Sequence, residues 1–235
     1  MKTLTYRRDR AVQSPAIWAL LCTIPIPTLG VWLGMFIWPG MPAGETAFAV
    51  AKCWMVVFPL AWLFYQYRAI NWPPINKQGL VAGLVSGLLM AAVIIAAYVI
   101  LGKDSVDPEE IKSAMREVGL LDSHKYLLLA AYWTFVNSLL EEYFWRWFIV
   151  SRARSLMSQK TAILVSAIGF VAHHFLAMSL YFDITTSLLA CIGILVAGVF
   201  WSGLHLRYRN LLPCYISHIL ADAAIFGIGY YLLFV

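Results

Sequence analysis

Charge is what this sequence has least of. Only 12% of its 235 residues are Asp, Glu, Lys or Arg, and 62% are apolar, where a soluble domain is about one quarter charged and about half apolar. With a mean hydropathy of +0.76, too few polar residues remain to cover a surface facing water. That excludes a cytosolic enzyme, a secreted domain and a disordered chain. Cysteine is scarce as well. The four, at 22, 53, 191 and 214, lie in apolar stretches and form no Cys-x-x-Cys pair, which excludes a disulfide framework or a zinc knuckle and leaves small apolar filler. Two further signatures are missing: no His-Glu-x-x-His marks a zinc protease helix and no Gly-x-Ser-x-Gly marks a serine elbow near Ser138 or Ser217. Internal repeats and low-complexity tracts are also absent.

What the chain has in abundance is apolar runs of membrane-crossing length, since a hydrocarbon layer about 30 Å thick takes roughly 20 helical residues. About seven are expected, near 15–38, 46–66, 79–101, 126–150, 161–182, 186–206 and 211–234. The fold class is therefore all-α, a single polytopic membrane domain over 1–235, with eight spans if Pro25 and Pro27 break the first. Ser14 and Pro15 read as N-cap and first helical residue. The first run follows a basic leader but exceeds a signal-peptide core and lacks its small-x-small cleavage pattern, so it is expected to stay in the membrane.

The excess of seventeen Lys and Arg over twelve Asp and Glu gives +5. Its placement points to lipid topology rather than nucleic acid. Lys2, Arg7, Arg8 and Arg10 lie in the leader; Arg68 with Lys77, Arg152 with Arg154 and Lys160, and Arg207 with Arg209 lie in alternate loops. Because cytoplasmic loops collect cations, the amino terminus is expected inside and the carboxyl terminus outside. The outer segment 103–125, with four cations and six acids, is expected to form a short surface helix. Asp107 and Pro108 start it, Glu109 and Glu110 fill its first turn, Ile111, Met115 and Val118 share a side, and Gly119 ends it. Gly79, Gly83 and Gly87 recur every four residues in the third span, the spacing for close helix approach.

Ionisable residues inside a span cost at least about 2.5–3.5 kcal/mol at its centre, which makes them functional candidates. They are Lys52, Glu141, Glu142, Arg146, His173, His174, His218 and Asp222. At a rise of about 1.5 Å per residue, Glu141, His174, His218 and Asp222 lie roughly 10–20 Å from one face, so spans four, five and seven bring four groups to one level. Glu141 and Glu142 point about 100° apart, so their surroundings differ. Glu142 has Arg146 at i+4 in the favourable order for an ion pair; Glu141 has Trp145 there and no local cation. A carboxylate in that setting is placed to accept a proton from water. His218 and Asp222 share a face at i and i+4, where the acid orients the imidazole. Lys52 reads as a snorkelling or structural side chain, His205 as snorkelling at an inner helix end, and His173 as pointing away from the site. Two His and a Glu also make a zinc set with an open position, a lower-ranked alternative to a site with no cofactor.

Three segments resemble a known family. Glu141-Glu142-Tyr143-Phe144-Trp145-Arg146 fits Glu-Glu-x-x-x-Arg, Phe170-Val171-Ala172-His173-His174 fits Phe-x-x-x-His, and His218-Ile219-Leu220-Ala221-Asp222 fits His-x-x-x-Asn/Asp. These resemble the motifs of the CPBP intramembrane proteases, the ABI or type II CAAX prenyl endopeptidase family. The motif-bearing core is 126–234. The resemblance implies a helical fold with a cavity open to the cytoplasm and adjacent lipid, and a glutamic-type endopeptidase acting on a membrane-associated protein or peptide near the cytoplasmic leaflet. By motif position it implies Glu141 as general base, His174 holding the water, His218 and Asp222 at the oxyanion, and Arg146 supporting Glu142. Where many members have Asn, this chain has Asp222, which donates a hydrogen bond only when protonated. The family's breadth and the short chain point to a bacterial inner membrane. Competing functions are a proton-coupled transporter, which buried Glu, His and Asp also serve, and a non-catalytic immunity or scaffold protein.

Overall fold

Lipid offers no hydrogen bonds to a backbone, so a spanning segment must satisfy its own polar groups, which a helix does. In the computed structural model, which describes residues 10–66, 74–103, 108–117 and 119–235, the described residues form helices and no strand. Lys2, Arg7, Arg8, Arg68, Asp107 and Val118 lie outside the described residues. The order is α1 (Arg10–Leu21), α2 (Ile26–Val31, continued by a π segment Trp32–Ile37), α3 (Pro42–Tyr65), α4 (Lys77–Ala97, continued by Tyr98–Gly102) and α5 (Pro108–Glu117). Helix α6 opens at Ser123 and stays helical to Leu156; α7 (Gln159–Met178), α8 (Ile184–Tyr208) and α9 (Leu212–Phe234) follow.

Six segments among the described residues are long and apolar enough to cross a membrane: Pro15–Ile37, Pro42–Tyr65, Lys77–Gly102, Gln159–Met178, Ile184–Tyr208 and Leu212–Phe234. The remaining expected span, 126–150, lies inside α6, the helix that carries Glu141, Glu142 and Arg146. The chain is an all-α integral membrane protein. As expected, its first span is broken, by a turn at 22–25 between α1 and α2, where Thr23 Oγ1 donates back to Ala19 O of α1 at 2.5 Å. The start differs from expectation. Ser14 and Pro15 are not the cap, because the described helix already runs from Arg10 and holds Pro15 inside.

Caps delimit the later helices. Asn76 Oδ1 accepts from Gln78 N, Asp122 from Lys125 N, Ser158 Oγ from Thr161 N, and Asp183 from Thr185 N and Thr186 N. The Asp183 carboxyl is held below its ordinary value by the Thr186 hydroxyl and these amides. Helix α8 ends where Arg209 takes a left-handed conformation, φ 51°.

Two packings position everything else. Helix α4 lies along α9 with its glycines inward, while Val81, Leu84, Val85, Leu88 and Leu89 are exposed on its other side. A Cβ on Gly87 would stand 2.7 Å from Leu220 Cδ1 and 2.9 Å from Ser217 Cα, and one on Gly79 3.0 Å from Pro213 Cγ. The stripe of glycines is therefore the seam that lets α9 approach. The second packing is a core in which Phe144, Trp145, Phe148 and Ile149 of α6 meet Met55 of α3, Phe170 of α7, Trp201 of α8 and Cys214 of α9. Helix α5 does not lie free on the surface: Ile111 and Met115 pack on Tyr126 and Leu233. Of the cysteines, Cys191 and Cys214 are buried while Cys22 and Cys53 are exposed, and all four are free.

Candidate active site

The site is built on α6, whose path is irregular where it matters. Its α-helical turns at Ser123–Ala131, Ser138–Glu141 and Ser151–Leu156 alternate with π turns at Tyr132–Asn137 and Glu142–Val150. Such wide turns occur often at functional sites. Here the junction falls between the two acids: Glu141 closes an α segment and Glu142 opens a π segment. Glu142 is fully buried and Glu141 is 2% exposed.

The two acids bracket one imidazole. Glu142 Oε1 lies 2.9 Å from His218 Nδ1, and Glu141 Oε2 lies 3.8 Å from His218 Nε2. Arg146 Nε stands 3.4 Å from Glu142 Oε2, the i, i+4 pair expected from spacing, with both side chains fully buried. The guanidinium also sits over the rings of Phe170 and Trp201, at 4.4 and 5.3 Å from their centroids, so its charge is met by ring faces as well as a carboxylate. Trp201 stacks on His218 at 4.0 Å and donates from Nε1 to Ser217 Oγ. Glu142 rather than Asp222 thus fixes the orientation of His218, because it holds Nδ1 while Asp222 Oδ1 lies 3.6 Å from Nε2. Asp222 Oδ2 is 2.5 Å from Ser138 Oγ, whose other partner is Trp133 O at 3.0 Å. Neither Ser138 nor Ser217 is idle: Ser217 Oγ also receives Ser86 Oγ at 3.1 Å.

Helix α7 brings two histidines. His174 Nδ1 lies 2.8 Å from Phe170 O, so as the donor it leaves Nε2 with a lone pair. His173 does not point away from the site. Its Nε2 lies 3.5 Å from Glu141 Oε1, its ring is parallel to Trp145, and its centroid is 4.2 Å from that of His174. The flat face of Trp145 stands where any side chain on Gly169 would collide, 2.7 Å from Cζ3. That aromatic wall turns His173 inward. One ligand atom each from Glu141, His173 and His174 falls within 4.8 Å of the others.

Two more ionisable residues do not snorkel. Lys52 has the structural role instead. Its Nζ donates to Asn137 Oδ1 at 2.5 Å, lies 5.0 and 5.5 Å from the ring centroids of Trp133 and Phe48, and interacts electrostatically with Glu141. Asn137 precedes Glu141 by four residues, so α3 delivers an ammonium about one turn from that acid. The absence of any acid near Lys52 in sequence was the available signal; its partner lies 85 residues away. His205 is buried, not at a headgroup, because α8 packs against the Arg146 end of α6.

The geometry joins the three motif segments, which composition alone does not relate. Residues 123–224 match the family model described as type II CAAX prenyl endopeptidase, Rce1-like. The matched segment runs from the first residue of α6 past Asp222 and so includes every motif residue; α1 to α5 lie outside it. No curated protein and no solved structure matches the chain.

Proposed function

We propose that the protein is an endopeptidase that hydrolyses a peptide bond in a membrane-associated protein or peptide near the cytoplasmic leaflet, with Glu141 as general base. The observation that carries this reading is a buried carboxyl group set between imidazole nitrogens of two other helices, 3.5 Å from His173 and 3.8 Å from His218. Glu141 accepts a proton from a water molecule held by the free Nε2 of His174, and the resulting hydroxide attacks the scissile carbonyl. Negative charge then develops on the carbonyl oxygen. His218, donating from Nδ1 to Glu142, presents Nε2–H to that oxygen when protonated, and Asp222 in its neutral form is a second donor. Glu141 returns its proton to the departing amine as the carbon–nitrogen bond breaks, giving a carboxyl and an amino product. Glu142 and Arg146 act by holding His218.

Buried surroundings strengthen each of these interactions relative to water. The cation-bearing loops favour a cytoplasmic amino terminus and an external carboxyl terminus, and the short chain with the breadth of the resembled family favours a bacterial inner membrane. The test is purified Glu141→Gln protein with membrane peptides. Turnover is expected to fall about 10²–10⁴-fold, the share general base catalysis supplies, with elution and thermal unfolding unchanged. Undiminished cleavage removes Glu141 as base. Solute or proton flux in liposomes without cleavage of any peptide would instead favour a transporter.

A further inference from the structure

His173 stands beside Glu141 but moves no proton in that chemistry, and its Nε2 is buried and without a hydrogen bond among the described residues. A lone buried imidazole nitrogen needs a partner. The pattern around it is that of metal ligands. A metal-binding imidazole usually directs its other nitrogen to a backbone carbonyl, which fixes the tautomer and frees the ligating lone pair. Both histidines do this with the carbonyl four residues back: His174 Nδ1 at 2.8 Å from Phe170 O, and His173 Nδ1 facing Gly169 O at 3.5 Å. Their rings are held in place by Phe170 at 4.5 Å and by the parallel Trp145 at 5.8 Å.

The spacing also fits. Bonds of about 2.0–2.2 Å to zinc in a tetrahedron put neighbouring ligand atoms about 3.4 Å apart. His173 Nε2 and Glu141 Oε1 are at 3.5 Å, and all three ligand atoms lie within 4.8 Å of one another, so His174 needs only a small approach. Two imidazoles and one carboxylate suit zinc-type ions rather than magnesium or calcium.

We propose that Glu141, His173 and His174 form a binding site for a zinc-type divalent ion, and that the ion inhibits cleavage by occupying the carboxylate that must receive the proton. The binding half stands on the geometry; the inhibitory half rests on the reading of Glu141 as base. No bond in the substrate is made or broken by the ion. It takes up lone pairs of two imidazoles and one carboxylate, and leaves when a chelator competes.

The experiment uses the full chain in detergent, stripped with chelator and titrated with Zn²⁺ against a chromophoric indicator, with Co²⁺ as a spectroscopic probe. One ion per chain and the strong visible bands of four-coordinate Co²⁺ are expected. His173→Phe keeps a ring beside Trp145, and Glu141→Gln is isosteric; each is expected to weaken zinc at least about 100-fold, with unfolding temperature and elution checked for both. Less than one ion per chain, or equal affinity in wild type and both folded variants, overturns the site. Cleavage is followed in parallel. Turnover in chelator that stops with one equivalent of zinc and returns on chelation supports inhibition; bound zinc with unslowed turnover, or turnover only with zinc, overturns it. Zinc bound as expected by a protein that cleaves nothing in either condition defeats the protease reading while leaving the binding site in place.

Discussion

Helix α9 shows two faces to the protein, and they are specified in different ways. Its Pro213, Ser217 and Leu220 side meets the glycines of α4, where the fit is one of size. Its His218 and Asp222 side meets α6, where the fit depends on which nitrogen faces which oxygen. The first face tolerates any register that keeps small residues opposed to large ones. On the second, turning His218 over about its Cβ–Cγ bond would set a ring carbon where Nδ1 now meets Glu142 and another where Nε2 faces Glu141. Size complementarity brings the helix close; polar pairing decides the rotation at which it stops. The two faces are mechanically linked through Ser217, one residue before His218, whose hydroxyl joins Ser86 of α4 to Trp201 of α8.

If polar pairing fixes the charged face, removing one partner there is the most damaging change. Arg146→Met strands Glu142, fully buried, with its cation gone. A stability loss of about 3–5 kcal/mol is expected, measured as resistance to unfolding in mixed detergent, along with loss of cleavage. The double variant Arg146→Met with Glu142→Leu is expected to recover much of that stability but no activity, since His218 then has no oxygen at Nδ1. Recovery of both would mean that the ion pair is packing alone and that the two faces do not differ in kind.

A smaller effect is expected from the seam. Gly87→Leu puts a Cβ and its branch into the space of Leu220 and the Ser217 backbone. Overpacking of this sort costs about 1–3 kcal/mol. Because Ser217 precedes His218, turnover should fall together with stability, whereas Gly87→Ala should do less of each. A Gly87→Leu protein with wild-type unfolding would show that α4 and α9 do not pack as described.

The contrast between the faces also explains what could be read from the chain. Spacing alone gave the α4 seam without its partner: Gly79, Gly83 and Gly87 announce a close approach, but nothing in α4 names α9. The i, i+4 pair Glu142–Arg146 was legible because both members ride one helix. His173 was not legible. Its inward turn depends on Trp145 of another helix filling the space beside Gly169, and tertiary packing of that kind leaves no local pattern. A structural role for Lys52 was legible but its acceptor was not, because Asn137 lies in a different span. That Glu142 holds His218 Nδ1 was not legible either, because the two residues lie 76 positions apart on different helices, while Asp222 shares the helix of His218.

The substitution Asp222→Asn gives the smallest expected effect and the sharpest question about the charged face. Ser138 has one hydroxyl proton and two oxygens within reach, Trp133 O at 3.0 Å and Asp222 Oδ2 at 2.5 Å. If the proton goes to the backbone carbonyl, Asp222 must be a neutral acid, whose one proton lies towards Ser138 Oγ at rest and turns to the carbonyl oxygen when charge develops there. An asparagine amide reproduces that arrangement, donating to Ser138 Oγ while Ser138 donates to Trp133. Asp222→Asn is therefore expected to keep turnover within about threefold of wild type, the scale of one intramembrane hydrogen bond. Asp222→Leu, which removes the donor, should lose about 10²–10³-fold if this group faces the oxyanion. Equal losses in the two variants would show that a negative charge next to His218 is what the site requires, and would reassign Asp222 from a donor to a partner of the imidazolium.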